Sequence, residues 1–273
     1  MVTTFSLSPH TPRAFRMLGL GALGLVLGGF SHATEHYELQ NIQTASSPTA
    51  SRSTAWKPGE GIPLEVSGMD FAPDGRLAVA IRKGEFWLID GVVGEAVPKP
   101  RYTLFASGLH EPLGVLRDGD SLLVAQRTEV TRLRDTNADG IADEYLTAGR
   151  GWNVSGAYHG YAYGPKRDGR GQRWVTLNLD MGDRTDNKAA WRGWGGIIGP
   201  DGEFQPMVAG MRSPCGLGAN REGDMFCVDQ QGTWIPATPI YHLRRGAFYL
   251  NPEGIASENR PGSPVKLSAP VPS

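Results

Sequence analysis

Cysteine is almost absent: the 273 residues hold two, Cys215 and Cys227. So few cysteines exclude a disulfide-stapled scaffold, and the lack of any Cys-x-x-Cys-His motif excludes a haem c attachment site within the sequence. Blocks of like charge are missing too, and the formal net charge is -1. Nothing therefore points to nucleic acid or to an anionic membrane surface as partner. The longest apolar run, Met17 to Phe30, falls short of the ~20 residues a spanning helix needs, so no stable membrane span is expected after processing. Turn formers, by contrast, are abundant. With 37 Gly and 20 Pro among 40% hydrophobic and 20% charged residues, the composition favours many short strands over long helices.

Residues 1–33 read as a secretory signal peptide. Arg13 and Arg16 supply a basic start, the apolar run follows, and Ser31-His32-Ala33 offers small residues for cleavage. The expectation is an exported protein, periplasmic or extracellular. Residues 34–60, rich in Ser, Thr, Ala and Gln, read as a flexible leader.

A repeat occupies 61–250. Each copy runs strand, turn, strand, polar exit, then one or two further strands. Four copies are visible, starting near Val66, Leu109, Tyr158 and Met211. Their spacing of roughly 45–55 residues is near that of a four-stranded propeller blade. A β-sandwich shares the short strands, but the fixed order within each copy favours a β-propeller of four-stranded blades. The fourth copy is the plainest: a hairpin with Arg212 before its first strand and Gln230-Gln231-Gly232 after its second. Cys215 and Cys227 stand on opposite arms of this hairpin, and both a cross-strand bridge and two buried thiols fit that placement. Residues 251–273, rich in Pro, Ser and Gly, read as a disordered tail.

Aligning the copies places His110, His159 and Arg212 at one position, the start of the innermost strand. The strand exits Arg82, Gln126, Arg127, Asn178, Asp180, Gln230 and Gln231 reach the same end. Polar groups converging at the mouth of a channel form a candidate binding site, while capping of strand-end backbone groups is the structural alternative. No carboxylate cluster stands at the blade starts, which argues against a metal-centred hydrolase. Separately, Asp135, Asn137, Asp139, the Ile141 carbonyl and Asp143 alternate around Gly140 as in a calcium loop. Position twelve is Leu146 rather than Glu, and an acidic Asx-turn loop is the alternative. Trp191 and Trp194 read as packing residues between blades.

The fourth copy, Gly210-Met-Arg212-Ser213-Pro214-Cys215-Gly216-Leu217 with its Gln230-Gln231-Gly232 exit, resembles a signature of the soluble quinoprotein glucose/sorbosone dehydrogenases. Those are six-bladed propellers that use pyrroloquinoline quinone (PQQ) and calcium, and four blades of that plan are visible here. Ser213 and Cys215 stand where the family has Asn and Gln. Over 66–250 the phrases LHEPLG, YHGYAYGPK, RSPCGLG and GAFY resemble the membrane-bound dehydrogenase branch, some members of which are fused to cytochrome c. The resemblance implies a dehydrogenase oxidising a sugar or alcohol hydroxyl. His159 would be the catalytic base, with His110 as its rival. Arg212, Ser213, Gln231 and Arg127 would bind the cofactor, and the Gly232 and Thr233 carbonyls would help hold its calcium. An external cytochrome c would accept the electrons. The alternative is a non-catalytic propeller that binds carbohydrate or protein at the same mouth.

Overall fold

A computed structural model of the chain describes residues 3–6, 38–41, 65–93, 100–154, 156–180, 189–232 and 235–267. Strands β1 (Thr3–Ser6) and β2 (Glu38–Asn41) pair antiparallel as a two-stranded ribbon. The rest of the proposed signal peptide and leader lies outside the described residues. Among the described residues no helix is long and apolar enough to cross a membrane.

Four sheets follow in chain order. Blade 1 holds β3 (Val66–Phe71), β4 (Leu77–Ile81), β5 (Glu85–Asp90) and β6 (Arg101–Ser107). Blade 2 holds β7 (Val115–Asp118), β8 (Ser121–Ala125), β9 (Val130–Arg134) and β10 (Glu144–Gly149). Blade 3 holds β11 (Ala162–Arg167), β12 (Arg173–Leu177), β13 (Gly195–Ile198) and β14 (Phe204–Val208). Blade 4 is described with three strands, β15 (Pro214–Ala219), β16 (Met225–Asp229) and β17 (Ile240–His242). All are antiparallel meanders, as short strands joined by tight turns must be. The first strands β3, β7, β11 and β15 pack one upon the next. They are therefore the innermost strands of a β-propeller, as the repeat predicts.

The blades stack through alternating side chains. In β4 the period of two sends Ala78 and Ala80 towards blade 2, where they meet Phe86, Leu88, Phe105, Val115, Leu122 and Val124. Leu77, Val79 and Ile81 point the other way, into a second cluster with Trp87 and Ile89. Both faces of β4 are buried, so its sequence is a continuous apolar run rather than an alternating one. Leu123, Ala125, Val175, Leu177, Trp194 and Phe204 fill the space between blades 2 and 3. Trp191 and Trp194 lie edge to face in this core at 5.1 Å, as packing residues should. Trp174, Ile197, Val208, Met225 and Cys227 fill the next layer.

Blade 4 ends the series. Its far face carries Phe226, Val228 and Ile240, and Ile240 is 71% exposed. Among the described residues no substantial packing joins β15 back to β3, so the four blades form an arc. The two cysteines are free. Cys227 pairs across the hairpin with Leu217, and a bulge after Pro214 displaces Cys215 from any partner position. Cys227 is buried and its thiol is raised to about 12 by that burial, while Cys215 is exposed, its thiol raised in the same direction.

The expected disordered tail is corrected in part. Residues 251–267 fold back onto blade 3. Asn251 caps a short 3-10 turn at Pro252–Ile255, the Ser257 hydroxyl accepts a hydrogen bond from Trp191 N–H (2.9 Å), and Val265 is buried in the core between blades 2 and 3. The segment has no strand or helix period because it docks by single contacts. Residues 268–273 lie outside the described set.

The innermost strands approach backbone to backbone at glycines. A Cβ on Gly68 would lie 2.5 Å from the Gly114 Cα, and one on Gly114 would lie 1.8 Å from the Gly164 carbonyl oxygen. Neither neighbour is a side chain that can swing aside, so the strands themselves must move. Gly114→Ala should therefore lower stability by about 3 kcal/mol or more. Gly218→Ala, where a Cβ meets nothing within 4 Å, should change it by no more than about 1 kcal/mol. Urea midpoints of the two variants check this, and equal midpoints would contradict it.

Candidate functional site

The strand starts and exits meet along one continuous rim of the channel mouth. On blade 1, Arg82 follows β4. Its guanidinium donates to Glu111 Oε1 (3.3 Å) and to the phenol oxygens of Tyr158 (3.3 Å) and Tyr161 (3.2 Å). Glu111 sits between β6 and β7 in a left-handed conformation, φ 44°. Such a backbone costs a non-glycine residue about 1–3 kcal/mol and persists only where the surroundings hold it. Here two cations hold it: Arg82 on one side and Arg127 Nε on the other.

Arg127 follows β8 and is buried. Its Nη1 donates to the Ala157 carbonyl (3.0 Å) and its Nη2 to the Tyr158 carbonyl. The guanidinium also lies over the Tyr161 ring, 4.6 Å from the centroid. It thus ties blade 2 to the start of blade 3. Both terminal nitrogens of Arg127 are engaged by backbone carbonyls, which gives the residue expected to bind the cofactor a structural tie as well.

On blade 3, His159 is half buried and stands edge-on to Tyr158, with ring centroids 5.0 Å apart. Gly160 follows, and a Cβ there would come within 3.0 Å of Asp180 Oδ1. Asp180 is buried with both carboxylate oxygens lacking hydrogen bonds, and Arg192 Nε stands 3.8 Å away. Arg192 is pulled down to about 10 by burial, with Asp180 opposing the shift. Its remaining donors hold the Tyr161 carbonyl (3.1 Å) and the Asn153 carbonyl.

Blade 3 meets blade 4 where Leu179 N–H donates to the Arg212 carbonyl (2.9 Å). The buried Asp229 carboxylate accepts from three backbone N–H groups, those of Arg212 (2.8 Å), Ser213 (2.6 Å) and Gln230 (3.0 Å). Burial raises its carboxyl, and these amides oppose the rise. The Arg212 side chain lies flat on Gly232: a Cβ there would be 2.1 Å from Arg212 Cδ. No described side chain pairs with the Arg212 guanidinium.

The structure thus places His159 and Arg212 on adjoining stretches of the rim. His110 is exposed at the Arg82 and Glu111 end of the rim, in an open cleft of about 470 Å3 that Lys83 also lines. Ser213 is buried, and its backbone amide donates to Asp229. Gln231 is exposed, and Thr233 lies outside the described residues. Glu111, Tyr158, Tyr161 and Asp229 are central to the rim and were not singled out from sequence. The one available signal was Glu111, which stands at the aligned position of Ser213.

Among the described residues no group of three or more His, Cys, Asp or Glu converges to hold a metal. The loop of Asp135, Asn137, Asp139, Ile141 and Asp143 is held by Asx-type hydrogen bonds. Asp135 accepts from Asp139 and Gly140 N–H, Asp139 from Ile141 N–H, and Asp143 from Thr136 N–H and its hydroxyl.

Solved structures can be set against this geometry. The chain is 12% identical, with a TM-score of 0.51, to the PQQ domain of Coprinopsis cinerea pyranose dehydrogenase, covering 67% of this chain and 51% of that one. It is 15% identical, at 0.54, to PQQ-bound aldose sugar dehydrogenase from Streptomyces coelicolor, covering 73% and 65%. A glucose dehydrogenase-type oxidoreductase from Thermus thermophilus gives 20% identity and 0.52, covering 73% and 68%. The chain has the fold of the quinoprotein sugar dehydrogenases. It spans about half to two thirds of the length of these propellers. No protein-family model matches the chain, and no curated protein does.

Asp143 gives this region a pH signature. Its carboxyl is held below the usual 3.8, first by the Thr136 N–H and then by the Thr136 hydroxyl. A folded-state value below the unfolded one contributes stability that is present above 3.8 and lost as pH falls through the folded value. Asp143→Asn should flatten the acid limb of stability between about pH 5 and pH 2. Urea midpoints across that range test it, and a limb as steep as in the parent protein would refute it.

Proposed function

We propose that the chain is an exported quinoprotein-type dehydrogenase domain that oxidises a hydroxyl group of a sugar or alcohol with PQQ. The observation that carries this reading is the half-exposed Arg212 guanidinium, which makes no side-chain hydrogen bond or ion pair among the described residues and lies over Gly232 on the rim of a fold shared with PQQ enzymes. A polyanionic, planar cofactor needs such a cation, and a guanidinium can meet a carboxylate through two parallel hydrogen bonds. A small recess of about 10 Å3 beside Arg212 is lined by Asp229, Gln230, Gly232 and Tyr241.

The quinone, when bound, supplies the hydride acceptor. The protein's part is to orient and to move a proton. His159, held edge-on by Tyr158, takes the hydroxyl proton at its imidazole. Arg212 holds an anionic group of the cofactor, with the exposed Gln230 and Gln231 amides beside it. Calcium would enter with the cofactor through the Gly232 and Thr233 carbonyls. An external cytochrome c would collect the electrons. A non-catalytic carbohydrate-binding propeller is the second reading, favoured by the open arc of four blades.

The protein should take up PQQ in the presence of calcium and reduce an electron-accepting dye with aldoses or alcohols. Arg212→Ala should weaken uptake about tenfold or more. His159→Ala should keep uptake and lose turnover by about 100- to 10,000-fold. Folded protein that takes up no quinone in equilibrium dialysis would overturn the enzyme reading. Full turnover in His159→Ala would move the base to His110.

A further inference from the structure

We infer that Tyr158 is an aromatic platform for the ring of a cyclic sugar, which makes the mouth selective for sugars over small open-chain alcohols. The inference rests on the reading of the mouth as a substrate site and names its substrate class. Tyr158 is 63% exposed, although it belongs to the most densely bonded part of the rim. Exposure of this kind in a flexible side chain would be unremarkable. Tyr158 is instead fixed at both ends. Arg127 Nη2 donates to its carbonyl, and Arg82 Nη2 donates to its phenol oxygen (3.3 Å). Arg82 is itself anchored by Glu111 and by Tyr161. The ring is bordered by His159, at 5.0 Å and 89°, by Tyr161, at 6.1 Å and 73°, and by the Arg82 guanidinium, 5.7 Å from its centroid. An aromatic surface is thus open to solvent in a preset orientation, beside the imidazole assigned to proton removal.

Cyclic sugars carry an apolar face of C–H groups and a rim of hydroxyls. The C–H face suits the Tyr158 ring, and stacking there brings rim hydroxyls towards His159 and Glu111. Because the ring is already ordered, little rotamer entropy is lost on binding. A two- or three-carbon alcohol has no such face and gains little from the ring. The phenol hydroxyl anchors the platform to Arg82 and is not needed for stacking, so removing the ring and removing the hydroxyl should have different effects.

The test titrates the whole protein with methyl α-glucopyranoside, which has no free anomeric hydroxyl, and with glycerol. Saturation-transfer NMR reads binding without quinone, and melting temperature confirms the fold of each variant. The parent protein should bind the glucoside in preference to glycerol. Tyr158→Ala should lose about tenfold or more in affinity, and Tyr158→Phe should stay within about threefold of the parent. No glucoside binding by the parent, or unchanged affinity in Tyr158→Ala, overturns the platform. Equal loss in both variants also overturns it, since the hydroxyl rather than the ring would then be responsible. The two readings fail separately: glucoside binding that needs Tyr158 without quinone uptake removes the dehydrogenase, whereas quinone uptake with a dispensable Tyr158 removes the platform.

Discussion

Backbone contact between the innermost strands is the constraint on which the rest depends. Gly68, Gly114 and Gly164 let β3, β7 and β11 meet without intervening side chains. The blades then sit close enough for Ala78 and Ala80 to fill one interface and for larger residues to fill the next. The same approach draws the strand starts together. Glu111 can reach both Arg82 and Arg127 only because the inner strands on either side are this near. Packing and site geometry are therefore set by the same glycines.

The arginines of the mouth divide by burial. Arg127 and Arg192 are inside the protein and hold backbone carbonyls of the loop before β11. A buried cation is tolerated when its hydrogen bonds are made, and removing its partners is costly. These two act as struts that fix Tyr158, His159 and Tyr161 in place. Arg212 is half exposed and has no described side-chain partner, so its charge remains open to a ligand. Asp229 serves it indirectly by capping the backbone at its strand start. Charge in this mouth thus does two separate jobs, and residue type alone does not tell them apart.

The repeat, the innermost position of each first strand and the placement of Arg212 at the same edge as the Gln230-Gln231-Gly232 exit were all legible from local sequence order, because hairpins and turns are short-range. The roles of Glu111 and Tyr158 were not. Glu111 depends on a left-handed backbone and on partners 29 and 16 positions away (residues 82 and 127), and no period marks that. Arg127, at a strand exit, and Arg212, at a strand start, both looked like cations of the mouth, and burial separates them. The tail from Asn251 to Leu267 looked unstructured because single contacts such as Trp191 with Ser257 leave no pattern. The acidic loop fits a calcium pattern by spacing, and its carboxylates accept from amides of the same loop.

The arc has a mechanical consequence. Neighbouring blades are fixed to one another by glycine contacts and by side-chain struts, but blade 4 and blade 1 share no such joint among the described residues. Among the described residues the two ends are therefore connected only through every joint in series, and the stretch from Arg82 to Tyr161 is the part where side chains add parallel routes to the backbone ones.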